Sequence, residues 1–385
     1  MRRRRVAIVG AGCTQLRAVT PELSYRELTH EAAVAAYADA GVVPSEIESF
    51  ISTAEDFMEG YSIADEYSPD QIGAVLKPTQ TISGDALHSL SVGVMEIMTG
   101  RFDLVAVQAM SKASNVATMG DVANFALDPV LNRQLGNTAH FVAGLEMARY
   151  MYETGTTRGH CAAVVVKNRR NALRNPLAGF GCDLTVEQVL DSEPVSHPLH
   201  RLDISPQADG AAVFVLASAE AAKGLKGTPV WVEGVGWCTE SASLESRSWG
   251  DSPATALAAK AAYETAGIKT PAKEIHFVEL NDEYSYKELQ HLEALGLCPR
   301  GAARNFIEGG LTERGGALPV NVSGGALGCG HLFEASGAHK LYEAVLQLRG
   351  CAGERQVKGA EVGLVHAWRG VPTTSCAVAV LSNRT

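Results

Sequence analysis

Apolar and polar positions along this chain follow one succession of periods, and the succession occurs twice. VAIVGAG (Val6–Gly12) and VWVEGVG (Val230–Gly236) are β-like runs, each ending in a Gly-x-Gly turn. An Ala-rich segment of helical spacing follows each run and stops at a glycine, Gly41 or Gly267, the residue suited to a left-handed helix terminus. A short apolar run comes next, Phe50–Ser52 in the first copy and His276–Leu280 in the second. Each copy then reaches a Ser-Gly-x-Ala-Leu elbow, Ser83–Leu87 or Ser323–Leu327. Beyond the first elbow, Leu87, Leu90, Val94 and Ile97 recur at spacings of three and four, which predicts an amphipathic helix closed by Gly100. Asp103–Gln108 then predicts a buried strand; Ala338–Leu348 and Val362–His366 are the matching helix and strand of the second copy. Continuous apolar strands alternating with helices predict an α/β body with mixed, mainly parallel sheets covered on both faces.

The duplication is visible in the residues themselves. AAVAAYADAG (residues 32–41) and AAKAAYETAG (258–267) are identical at seven of ten positions, 226 residues apart. Two halves are therefore expected, 1–226 and 227–385, with the boundary in the GLKGT segment Gly224–Thr228. The first half carries an insertion at about 111–202, polar and Gly/Asn-rich, with a helix over Phe141–Tyr152 and no counterpart in the second half. Extra elements on a repeated scaffold usually shape the substrate site. ADGAAVFVLAS (Ala208–Ser218) closes the first half as a turn and an apolar strand.

Composition narrows the function classes. The chain has 385 residues, 46% hydrophobic and 20% charged, an ordinary soluble balance. A formal charge of −10 argues against a nucleic-acid or anionic membrane partner, and no apolar stretch approaches the ~20 residues of a membrane helix. The basic run Arg2–Arg5 leads into Val6–Val9, which reads as a buried strand rather than a signal-peptide core; a mitochondrial or nuclear address is the alternative. The eight cysteines are scattered without metal-site spacing, and most read as small buried residues of a reducing, cytoplasmic setting.

The chemistry-bearing residues cluster at the elbows. Ser83 stands where a strand turns into a helix, so the helix dipole and free N–H groups can activate a nucleophile or bind an oxyanion; the alternative is an N-cap. The second elbow, PVNVSGGALGCGHLFEASG (Pro319–Gly337), presents His331 on a Gly-rich turn, as a proton shuttle or hydrogen-bond donor or as a structural histidine. Cys329 lies two residues before it, as a second nucleophile candidate or as packing. Asn281, just past an apolar strand in VELNDEYSYKEL (Val278–Leu289), can donate an amide to an anionic oxygen or cap the loop. VGAG at residues 9–12 lacks the third glycine of a dinucleotide fingerprint, where Gln15 stands, and the duplication accounts for it better.

Val278–Gly310, LPVNVSGGALGCGH (Leu318–His331) and EVGLVHAWRG (Glu361–Gly370) resemble the C-terminal half of the thiolase superfamily, within it the sterol-carrier/lipid-transfer-protein thiolases. QADGAAVFVLAS and SYRELTHEAAVAAYADAG resemble its first half, so the resemblance spans essentially the whole chain. It implies a five-layer αβαβα body of two similar halves, coenzyme A thioester substrates with no covalently bound cofactor, a homodimer, and roles in lipid metabolism. It also implies that His331 and Asn281 hold the thioester oxygen as a carbanion forms, and that Tyr284 packs. The resemblance breaks at the first elbow. Acyl-transferring members carry a nucleophilic cysteine where this chain has Ser83, or Thr81 with a two-residue shift, and a second cysteine near Ala367–Trp368 is also missing. A serine alkoxide forms far less readily than a thiolate.

Three functions follow from that mixture. The first is cysteine-independent retro-aldol or related enolate chemistry on acyl-CoA, which needs enolate stabilisation and a base but no nucleophile. The second is an acyltransferase with a substitute nucleophile. The third is a non-catalytic subunit, because members of this branch pair with a small acyl-CoA-binding protein built from a zinc ribbon and an OB-fold.

Overall fold

The computed structural model describes residues 4–55, 63–116, 124–136, 138–370 and 374–384. Arg2 and Arg3 of the basic run, and residues 117–123 and 137 of the expected insertion, lie outside the described residues. The strands are β1 (Val6–Cys13), β2 (Ser49–Thr53), β3 (Thr79–Ile82), β4 (Leu104–Lys112), β5 (Pro194–Ser196), β6 (Leu199–His200), β7 (Asp209–Ser218), β8 (Val230–Thr239), β9 (Phe277–Leu280), β10 (Val362–Arg369) and β11 (Ser375–Ser382). Nine of them form one sheet in the order β3-β2-β4-β7-β1-β8-β11-β10-β9, while β5 and β6 pair separately.

The repeat is written into the pairing. Outward from the joint, β1-β7-β4-β2 and β8-β11-β10-β9 run antiparallel, antiparallel, parallel in both copies. β3 adds a parallel edge in the first copy, and a parallel bridge between Val278 and Val320 takes its place in the second. The copies meet through two antiparallel register pairs, Ala7 with Trp231 and Ile8 with Val230. The sheet is mixed, as expected, but its inner pairs are antiparallel and parallel pairing is confined to the outer strands. Apolar runs report burial on both faces, and antiparallel strands inside a layered body are buried that way too.

Alternation along the strands separates three cores. Val6 and Ile8 of β1 face the middle core, whereas Ala7 and Val9 face an outer one. On β11, Ala377, Ala379 and Leu381 face the middle and Cys376, Val378 and Val380 the other outer core. Helices Ala86–Met98 and Ser336–Leu348 fill the middle layer; Tyr25–Ala40 covers one outside face and Pro253–Ala266 the other. Five layers result, α-β-α-β-α.

The Gly-x-Gly pairs, expected as turns, lie inside β1 and β8, and with the Ala-rich helices they form one device. A Cβ on Gly10 or Gly12 would stand 2.3 or 2.2 Å from the carbonyl oxygens of Ala36 and Ala32. In the second copy, Gly234 and Gly236 meet Ala262 and Ala258 oxygens at 2.1 Å each. Glycine on the strand lets a small-residue helix lie directly on its backbone, with no nucleotide involved. The helices end at Gly41 and Gly267, both with positive φ (74° and 73°).

Candidate active site

The two elbows differ once folded. The first opens directly into the helix Ala86–Met98, whose N-cap is Asp85 rather than Ser83. The second opens into a five-residue helical turn, Gly325–Cys329, and the long helix begins only at Ser336. Cys329, His331 and the 3-10 turn Phe333–Ala335 occupy the stretch between. Asp85 ties the elbows together: its buried carboxylate accepts the Leu87 N–H at 2.9 Å and the Gly337 N–H at 2.8 Å, capping both middle helices.

Three successive residues after β9 hold the second elbow from below. Asn281 donates Nδ2 to the Trp368 carbonyl at 3.3 Å, and the Trp368 indole donates to the Asn281 carbonyl at 2.8 Å. Asp282 accepts the Ala326 N–H at 2.5 Å and an Asn168 amide proton at 2.8 Å, fixing the helical turn before His331. A Cβ on Gly325, which has φ +59°, would stand 2.3 Å from that carboxylate. Glu283 turns the other way, its Oε2 standing 3.9 Å from His331 Nε2. A first-half segment threads beside these residues: Ser205 donates its N–H to the Glu283 carbonyl, and His331 exchanges backbone bonds with Pro206 and Ala208.

The insertion closes the elbow from outside. From the helix Arg158–Ala172 and the residues after it, Lys167 donates to the Val320 carbonyl at 2.7 Å, Asn171 to that of Asn321 at 3.1 Å and Asn175 to that of Ser323 at 3.0 Å. These contacts add to the partners of an irregular buried backbone, whose Asn321 and Ser323 carbonyls also accept the Gly324 N–H and the Cys329 thiol.

The imidazole of His331 is held neutral. Burial, followed by the Lys340 and Arg369 cations, lowers its pKa to about 3. Its Nδ1 lies 3.1 Å from the Ser336 hydroxyl, which itself accepts the Leu332 N–H at 3.2 Å. That hydroxyl can donate to Nδ1, and in the tautomer where it does so the ring proton sits on Nε2, toward Glu283. Burial raises Glu283 to about 7 against the pull of Lys287, Tyr284, Arg369 and Lys340.

The residues singled out in the sequence fare differently. His331 meets Glu283 at a partly open point, with side chains 10% and 23% exposed. Asn281 lies two residues away but is fully enclosed, its amide turned to Trp368 and its Oδ1 buried without a partner. Ser83 is exposed, and among the described residues no side chain is hydrogen-bonded to its hydroxyl. Thr81 lies on β3 with its hydroxyl buried and unpartnered. Cys329 is wholly buried and donates its thiol to the Ser323 carbonyl at 3.1 Å; burial and the Glu279 carboxylate raise its pKa. A thiol so placed packs and does not attack. Tyr284 packs between Tyr286 and Trp368.

Two site residues escaped the sequence reading. Glu283 sits in an acidic pair, Asp282–Glu283, that looks like a solvated loop. Arg369, beyond the strand expected to end at His366, donates to the Gly84 carbonyl at 2.9 Å and pairs with Glu55, reaching the first elbow from the second half. Among the described residues no group of three or more His, Cys, Asp or Glu is arranged to hold a metal ion. A surface cavity of about 310 Å³ between Gly250–Pro253 and Arg300 includes none of these residues.

This architecture has known counterparts. A family model for the thiolase C-terminal domain-like fold matches residues 236–383. An acetyl-CoA acetyltransferase of Methanothermobacter thermautotrophicus is 34% identical over 94% of this chain and 96% of its own length. The chain belongs to the thiolase superfamily. Another member of the superfamily, a 17-hydroxy-3-oxo-4-pregnene-20-carboxyl-CoA lyase of Mycobacterium tuberculosis, is 31% identical over 96% of this chain and 97% of its own. The solved structure of an Ltp2-ChsH2(DUF35) aldolase superposes with a TM-score of 0.85 at 26% identity, covering 99% of this chain and 98% of that one.

Proposed function

We propose that this thiolase-superfamily chain is an enzyme that cleaves or forms a carbon–carbon bond beside an acyl-CoA thioester, by retro-aldol enolate chemistry without an acyl-enzyme. The observation that carries the reading is the contrast at the elbows. His331 presents a neutral Nε2–H at a partly open point, while among the described residues no side chain is hydrogen-bonded to the exposed Ser83 hydroxyl, and Cys329 is buried and bonded. A neutral donor aimed at a developing enolate oxygen stabilises the transition state without needing a nucleophile. His331 is the donor in this reading, and Asn281, locked to Trp368, positions the segment behind it. The relatives named as a lyase and an aldolase support cleavage, and the acetyltransferase supports the acyl-CoA substrate.

In the same reading, two copies form a homodimer and a small acyl-CoA-binding protein of zinc-ribbon/OB-fold type joins them, as the composite name of the aldolase relative suggests. The eight cysteines are free thiols and fit a cytoplasmic setting. No helix among the described residues is long and apolar enough to cross a membrane.

The test uses a 3-hydroxyacyl-CoA, with release of acetyl-CoA as the readout. His331→Ala should lower turnover by about a hundredfold or more, the usual scale for an oxyanion donor, and mass spectrometry should find no acyl group on the protein. An adduct on Ser83 would replace this reading with that of an acyltransferase. Near-normal turnover of the alanine variant would remove His331 from the mechanism.

A further inference from the structure

Retro-aldol cleavage needs a group that takes a proton from oxygen and returns one to carbon. We propose that Glu283 is that group, a catalytic acid/base facing His331 across the point where substrate enters; the assignment rests on the lyase reading above.

Four of the neighbouring carboxylates are committed elsewhere, and a fifth, Glu334, three residues past His331, has an unpartnered Oε2 but is fully enclosed. Asp282 is spent on the Ala326 and Leu327 N–H groups and on Asn168. Glu288 is bound by Lys167, Asn168 and Asn321. Glu279 accepts both the hydroxyl and the N–H of Ser323, and Glu146 pairs with Lys287 and Tyr286. Glu283 keeps an open side chain, 23% exposed, at 3.9 Å from His331 Nε2. That gap is too long for a direct hydrogen bond, and an oxygen lying between the two groups comes within reach of both.

The charges around Glu283 suit a proton that comes and goes. Lys287 follows it on the helix Ser285–Ala294, Arg369 faces it from β10 and Lys340 from the helix Ser336–Leu348, while the adjacent Tyr284 hydroxyl adds to their pull. All four favour the carboxylate, and burial outweighs them, so the group titrates near neutrality. A base poised near the working pH gives the best compromise between being deprotonated and accepting a proton. His331 and Tyr286, which also lie close to Glu283, stay neutral throughout that range.

The step balances without a co-reactant. The Glu283 carboxylate takes the β-hydroxyl proton, and the O–H electron pair becomes the second bond of a carbonyl. The Cα–Cβ bond breaks with its pair passing to Cα and, through the thioester carbonyl, onto the oxygen held by His331. The Glu283 carboxylic acid then returns its proton to Cα. A 3-hydroxyacyl-CoA has become an aldehyde or ketone and a shortened acyl-CoA, with Glu283 again a carboxylate.

The last proton transfer can be measured alone, in reverse, as deuterium uptake from heavy water into the methyl group of acetyl-CoA by the purified full chain. Wild type should exchange, Glu283→Gln should lose about a hundredfold or more, and Glu283→Asp should retain part of the rate. The exchange rate of wild type should fall below pH about 7, and that limb should vanish in the glutamine variant. A glutamine variant exchanging at the wild-type rate, or a wild type that does not exchange, overturns Glu283; so does loss of exchange in Glu334→Gln with retention in Glu283→Gln. Exchange by wild type without cleavage of any 3-hydroxyacyl-CoA overturns the lyase reading and leaves Glu283 standing.

Discussion

Asp85 is the sharpest place to perturb the coupling between the halves. Its carboxylate caps the helix of the first elbow through Leu87 and reaches 252 residues along the chain to cap the second middle helix through Gly337. In Asp85→Ala both N–H groups lose their acceptor inside a dry layer. Hydrogen bonds to charged groups are worth about 1.5–3 kcal/mol each in mutational series, which already include dehydration. Burial pushes the Asp85 pKa up to about 6, a sign that the carboxylate is incompletely compensated, so the lower figure applies to each bond. The expected loss is about 3 kcal/mol for alanine, and about half that for asparagine, which keeps one acceptor. Urea unfolding followed by tryptophan fluorescence reads it as a lowered midpoint. Gly337 follows Ser336, whose hydroxyl lies against His331 Nδ1, so turnover should also fall by about tenfold through misplacement of the imidazole. An alanine variant within about 0.5 kcal/mol of wild type would show that the middle helices do not depend on this staple.

Two further outcomes follow from the site. Cys329→Ala should leave turnover within about twofold and cost about 1–2 kcal/mol, a lost thiol bond and a small void; a folded variant without activity would return the thiol to the chemistry. Glu283 should weaken the fold in alkaline solution. Its folded pKa is raised from 4.5 to about 7, so its contribution is fully present below 4.5 and is lost as pH rises through 7. At pH about 8.5 Glu283→Gln should be more stable than wild type by about 3 kcal/mol, and near pH 4 the two should match; equal midpoints at both pH values would contradict the strained carboxyl.

Much of the fold was legible because it rests on local physics. The Gly-x-Gly strand ends, the Ala-rich helices and their glycine stops are set by steric fit and backbone freedom, which neighbouring residues specify. The stripe Leu87, Leu90, Val94 and Ile97 is a matter of periodicity, and all four are buried in the middle core. Pairing direction was less legible: apolar runs announce burial on two faces, and β3, a partly buried edge, and β11, an eight-residue run near residue 385, drew no notice. His331 stood out because four glycines surround it. Glu283 and Arg369 did not, since charged residues at strand ends usually face water.

What the chain determined by itself is the duplicated frame and the loop that presents an imidazole. What only the tertiary structure decided is who meets whom: Glu283 with His331, Arg369 with Gly84, Asp85 with Gly337, and Asn168 with Asp282. Most of these partners are separated by more than a hundred residues and are united by the packing of the two halves of one sheet on a shared helical layer. Side-chain chemistry states what each group can do, whereas burial and neighbouring charge, which arise only on packing, push the His331 pKa down and those of Cys329 and Glu283 up.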